Sequence, residues 1–219
     1  MFPTTFPLPE APVSPLPASE LTAEDLTNLL RHEPTGGAPG PSRLRVEHPK
    51  VFLRLPLQAQ FEEFAAALTQ FTNLLLGGLF SESIRAALFA GQVLPLNKKD
   101  GGIRPVVLGE LLRRLAHKAL LRSLGEELAS LGPSVQLGLN NDTYGPTAAV
   151  LAAQSWACSL EGKVLVKLDI KKAFNSLSRE AAIRAANELL PSAAPYLRWF
   201  LSAASPVWYH DLLLQTPRD

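Results

Sequence analysis

Two short apolar runs, Val93 to Leu96 and Ile103 to Leu108, stand on either side of Asn97-Lys98-Lys99-Asp100-Gly101-Gly102. Apolar runs of this length around a polar tip ending in paired glycines close as an antiparallel hairpin. This hairpin sits in a chain whose other periodic segments read as helices, so the fold class follows from the pairing of the two signals: α+β, mostly helical.

The helical segments have recognisable starts and stops. Thr22 followed by Asp25 matches a capping box, and Leu26, Leu29 and Leu30 make a short apolar stripe before Gly36-Gly37, which predicts a helix over about 23–32. Phe61, Phe64, Leu68, Phe71 and Leu75 recur at helical spacing between Gln58 and Leu76, with Glu62 and Glu63 on the other side. Ser81 is placed to cap a further helix. From Glu110 to about Ser130 the helical pattern returns, with Leu112, Leu115 and Ala119 as its buried stripe and Gly132-Pro133 as its stop. Ala-rich sequence from Pro146 to Ser159, a helix capped by Ser178 and running through Leu190, and a last one from Ala194 to about Ala203 complete the set.

One more strand is predicted. Between Lys163 and Ile170, Val164, Val166, Leu168 and Ile170 fall on one face by period two, and Lys163, Lys167 and Asp169 on the other. The apolar set is expected to face a core, leaving Asp169 pointing away from it.

Composition excludes several classes. With 47% apolar and 19% charged residues and a formal net charge of +1, the chain is neither a disordered acidic polymer nor uniformly basic, so any nucleic-acid role must come from local charge. Local charge exists: from Lys98 to Arg122 there are seven Lys or Arg against Asp100 and Glu110. Arg114, Lys118 and Arg122 lie one turn apart and form a stripe suited either to phosphates or simply to solvent. Cys158 has no partner for an internal disulfide, no secretory leader is evident, and every apolar run is broken by Gly, Pro or a charge well before membrane-spanning length. An intracellular setting, nuclear or cytoplasmic, is expected, with no membrane association and no defined oligomeric state. His32, His48, His117, His210 and Cys158 show no metal-ligand spacing, and no nucleophile triad or P-loop is present.

Asp169 is the carboxylate of most chemical interest. At the C-terminal end of a strand, on its polar face, an acid is fixed by the scaffold and still reached by solvent; the same position also suits a turn or cap residue. Phe174 taken alone is a core aromatic.

In order, these pieces resemble the front half of a reverse transcriptase of the non-LTR, LINE-like retroelement kind. Gly40-Pro-Ser-Arg-Leu-Arg-Val-Glu-His48 is similar to the family's opening Gly-Pro segment, with Arg43 where the family usually has glycine. Leu94 to Leu115 resembles the fingers hairpin and the segment after it, and Val135-Gln-Leu-Gly138 with Gly145 resembles the next block. Lys167-Leu-Asp-Ile-Lys-Lys-Ala-Phe-Asn-Ser-Leu-Ser178 is similar to the first palm motif. The resemblance covers about residues 38–215.

The resemblance implies a right-hand polymerase architecture: a Pro-rich leader and short helix over 1–34, a fingers-like subdomain over 35–134, and over 135–219 the first part of a palm with an incomplete antiparallel sheet. It implies that Asp169 is a catalytic carboxylate holding Mg2+, with the Ile170 carbonyl as a further metal ligand and dNTP contact. Lys98, Lys99 and Arg104 would meet the incoming triphosphate, and Phe174 would stand under the sugar and exclude a 2′-hydroxyl. Arg113, Arg114, Lys118 and Arg122 would contact an RNA template and DNA primer. After Asp169 the sequence has only Asp211 and Asp219, with no adjacent pair of aspartates such as the family uses in its later palm motif. A chain of this sequence is therefore expected to be inactive alone. The alternatives are a non-catalytic nucleic-acid-binding or interaction module derived from a retroelement, and an unrelated helical protein carrying chance motifs.

Overall fold

The computed structural model describes residues 20–54, 58–99, 101–131, 145–158, 166, 168, 170, 177–210 and 212–214. Its helices are α1 (Ala23–His32), α2 (Glu47–Lys50), α3 (Gln58–Leu76), α4 (Glu82–Phe89), α5 (Leu111–Ser123), α6 (Gly125–Ser130), α7 (Gly145–Cys158), α8 (Arg179–Leu189) and α9 (Ala194–Leu201). The strands are β1 (Gly91–Asn97), β2 (Ile103–Gly109), β3 (Val207–Tyr209) and β4 (Leu212–Leu214), in sheet order β2-β1-β3-β4. The fold is α+β, with helices predominating.

Local signals account for many boundaries. The Thr22 hydroxyl accepts from the Asp25 amide, and the Asp25 carboxylate accepts from the Thr22 amide at 2.9 Å, so α1 begins with the predicted reciprocal cap. A hydrogen bond donated by the Thr22 hydroxyl at 2.7 Å, with the one from its amide, holds the Asp25 carboxyl below its ordinary range. Ser178 caps α8 by accepting from the Ala181 amide. Ser81 occupies the N-cap of α4 as predicted, but its hydroxyl meets that of Ser83 at 3.0 Å instead of a backbone amide. The helix expected over 110–130 is two helices, because the backbone at Leu124 swings to φ −87°, ψ 5°.

The apolar stripes of α1, α3 and α5 meet in one core. Leu26, Leu29 and Leu30 pack with Leu68, Leu75 and Leu76 and with Leu111, Leu115, Ala116, Ala119 and Leu120. Each fully buried leucine contributes about 1.5–3 kcal/mol relative to exposure. Asn73 of α3 fixes the approach to α1: its amide accepts from the Leu21 N–H at 2.9 Å and donates to the Leu21 carbonyl at 3.0 Å. Ala193 and Tyr196 join the same core from the far end of the chain. One cluster thus joins α1, α3, α5 and α9.

The sheet departs from expectation as well. Val166, Leu168 and Ile170 are 68%, 86% and 71% exposed, and none lies in a strand. A period-two pattern becomes a strand only where a ladder partner and a covering layer exist. The edge of β1 away from β2 pairs with β3, through the parallel register Gly91↔Val207 and Gln92↔Trp208 and a bond from the Gly91 amide to the Pro206 carbonyl at 2.9 Å; positions 163–165, 167 and 169 lie outside the described residues. Arg85, almost wholly buried, holds that connection in place by donating to the Glu82 carboxylate at 2.6 Å and to the carbonyls of Ala203 and Ala204 at 3.4 Å each.

Candidate nucleic-acid interface

The hairpin forms in the register Asn97↔Ile103, Leu96↔Arg104, continuing to Gly91↔Gly109. Its tip closes through a bond from the Lys98 amide to the Gly102 carbonyl at 2.7 Å and from the Gly101 amide to the Lys98 carbonyl at 3.1 Å. Gly101 takes φ +80°, a left-handed conformation that glycine adopts without steric cost, which explains the glycine after Asp100. Lys98, Lys99 and Arg104 are all exposed, so three of the predicted cations project from one tip. By strand alternation Arg104 shares a sheet face with Leu96, Leu94 and Val106.

The base of the hairpin is locked by a second stretch. Ser42 donates from its amide and its hydroxyl to the two Glu110 carboxylate oxygens, at 2.7 and 2.5 Å, and Glu110 is only 8% exposed. Gly40 lies against Gly109 and Glu110 so closely that a Cβ there would stand 2.7 Å from the Gly109 carbonyl oxygen. The Gly40-to-Arg43 turn, closed by a bond from the Arg43 amide to the Gly40 carbonyl at 3.0 Å, ends with Arg43 at φ +62°. The position where the resemblance calls for glycine is thus one whose backbone favours glycine.

The basic residues of α5 divide. Arg113 turns inward: it donates to the Phe89 carbonyl at 3.1 Å, sits 5.3 Å over the Phe89 ring, and fills the space beside Gly109 that a side chain there would need. Burial pulls its pKa down, opposed by Tyr196 and Glu110. Lys118 is held by both Glu33 carboxylate oxygens, at 2.5 and 2.7 Å. Arg122 lines a hollow of about 330 Å³ with Glu20, Asp25 and Asn28, acidic surroundings that oppose a phosphate. Arg114 is half-buried. The four basic residues are thus not equivalent: Arg113 packs inward and Lys118 pairs with Glu33, while Arg122 stays exposed.

Asp169 and Phe174 lie outside the described residues. Ile170 is exposed and lies in no helix or strand. Among the described residues no group of three or more His, Cys, Asp or Glu is arranged to hold a metal ion, and no helix is long and apolar enough to cross a membrane. The described residues thus supply no observation that fits magnesium.

Sequence reasoning missed one buried polar pair. His117 of α5 hydrogen-bonds through Nε2 to the Tyr196 hydroxyl of α9, inside an aromatic group that includes Phe89 and Phe200. Burial, reinforced by the Arg113 charge, pushes the His117 pKa down to about 4, and burial raises that of Tyr196. A lone histidine beside a lysine on an apolar helix carries no sequence signal of such a pairing. No protein-family model matches the chain, and no curated protein matches it as a relative.

Proposed function

We propose that the chain is the fingers and first part of the palm of an RNA-directed DNA polymerase of the non-LTR retroelement kind, which in a complete enzyme engages an RNA template, a DNA primer and a dNTP. The observation that carries this reading is the docking of the Gly40-to-Arg43 turn onto the hairpin base through Ser42 and Glu110. The two stretches belong to separate parts of the resemblance, and it is in a common unit that a polymerase would need them. The left-handed backbone at Arg43, where glycine is expected, supports it further.

On this reading Lys98, Lys99 and Arg104 neutralise phosphate charge from the hairpin tip, and the guanidinium of Arg104 offers a fork that fits two oxygens at once. By the same resemblance, Asp169 and the Ile170 carbonyl would hold Mg2+, which would supply Lewis-acid stabilisation of phosphate charge. Phe174 would select deoxynucleotides. The non-catalytic nucleic-acid-binding module is the second reading, which needs only the exposed cations of the hairpin tip.

Fluorescence anisotropy with a labelled RNA/DNA primer–template hybrid tests the proposal. Binding is expected to weaken steeply as salt rises from 50 to 200 mM (on the order of tenfold or more) and to fall at least ~5-fold in K98A/K99A/R104A. Binding that is indifferent to both salt and this triple substitution would overturn it.

A further inference from the structure

Pro41, Arg43, Gln92, Trp208 and His210 line an open hollow of about 520 Å³. They come from three separate stretches: the turn after Gly40, the start of β1, and β3 with the turn that follows it. Gln92 and Trp208 are register partners, so they present to the same face of the sheet, the face that carries Arg104 farther along the hairpin.

Among the described residues, Arg43 (φ 62°) and His210 (φ 50°) are the two non-glycine residues with positive φ, and both line this hollow. His210 takes that conformation directly after Tyr209, which pairs with Leu212. Glycine would carry either backbone without strain. Arg43 is the more informative of the two, since it sets a guanidinium on a backbone that favours glycine, beside Gln92 and Trp208. Strained side chains gather where the side chain is used.

We propose that the hollow is a nucleotide-binding subsite in which Arg43 and His210 hold a phosphate and Trp208 stacks on the adjoining base. A guanidinium matches phosphate oxygens in pairs, an imidazole adds a donor, and an indole face stacks on any base. Gln92, with both a donor and an acceptor, lies beside the indole to meet a base edge. The ligand is a phosphate-bearing base, either one unit of an unpaired strand or a free nucleotide. A strand seated here shares its face with Leu94, Leu96 and Arg104 and is directed toward the hairpin tip. The inference rests on the nucleic-acid-binding reading above, and adds to it a contact that a glycine at position 43 could not make.

The test measures binding of a labelled oligouridine decamer by anisotropy and of UMP by tryptophan fluorescence. The proteins are the 219-residue chain, R43G, H210G and K98A/K99A. R43G and H210G relieve left-handed backbone, so they are expected to melt at least as high as the parent, about 2 °C or more above it, while binding roughly five- to tenfold more weakly. Weaker binding thus cannot be ascribed to misfolding. Loss of both ligands in R43G, with UMP bound as well as the decamer, supports the subsite and assigns it to free nucleotides. Loss of the decamer alone supports it and assigns it to a strand. Decamer binding that is unchanged in R43G and H210G but weakened in K98A/K99A overturns the subsite and leaves the hairpin reading standing. Failure of the parent chain to bind either ligand overturns both.

Discussion

Ser42 and Glu110, 68 residues apart, are joined by two hydrogen bonds from one residue to the two oxygens of a single carboxylate, at 2.7 and 2.5 Å. Glu110 stands between the end of β2 and the start of α5, so this contact sets the Gly-Pro turn against the hairpin and the hairpin against the helical core.

Removing the Ser42 hydroxyl leaves a buried carboxylate oxygen without its donor. S42A is expected to lose about 1–3 kcal/mol of stability, read as a lowered urea midpoint at unchanged slope. S42T, which keeps the hydroxyl, is expected to recover most of it; equal midpoints for parent and S42A would show that the contact carries no net stability.

Gly40 is required for a different reason, since its neighbours are backbone atoms that cannot rotate aside. A Cβ at this position would lie 2.7 Å from the Gly109 oxygen, 2.8 Å from the Gly109 carbonyl carbon and 2.9 Å from the Glu110 nitrogen. G40A is expected to cost about 1–3 kcal/mol and to speed proteolysis between residues 33 and 45. Gly36 and Gly37 have open space where a Cβ would go. G37A, at a position without a positive φ, is the control that should change neither.

His117 makes stability depend on pH. Its folded pKa of about 4 lies below the ordinary value of 6.5, so the unfolded chain binds the proton more readily. The contribution is fully present above pH 6.5 and is lost as the pH falls from there to about 4, by an amount on the order of 3 kcal/mol. Thermal melts across that window are expected to show a declining Tm, and H117Q should flatten the decline. A slope that persists unchanged in H117Q would assign the dependence to other groups.

Templated synthesis should be absent from the purified chain. A primer-extension assay with the RNA/DNA hybrid, magnesium and dNTPs is expected to yield no product, because Asp169 alone cannot hold two divalent ions. Extension above the level of D169N would contradict this. If the chain derives from a complete polymerase, the nucleotide sequence following the Asp219 codon is expected to encode a Gly-Gln-Gly-like turn and a pair of aspartates.

The local elements were legible because their signals lie within a few residues of one another. Thr22 and Asp25 announce α1, the spacing from Phe61 to Leu75 announces α3, and Gly101-Gly102 announces the hairpin turn; each structure takes the predicted form. The exposed cations at the tip were readable for the same reason, since a hairpin turn of charged residues has nowhere to point but outward. Two short strands, β3 and β4, escaped notice because three residues carry too little periodicity to be told from loop.

What lay beyond the sequence was every property set by a neighbour distant in the chain. Charge along α5 suggested a stripe, but whether a lysine meets phosphate or carboxylate depends on what packs beside it, and Glu33 took Lys118. Alternation from Lys163 to Ile170 suggested a strand, yet Val166, Leu168 and Ile170 are exposed and outside any strand. Period and capping are written in local spacing, so the sequence by itself determined the main helices and the hairpin. Long-range contacts compete for the same edges and charges, and only the tertiary structure decided which of them Glu110, Arg113, His117 and Lys118 would make.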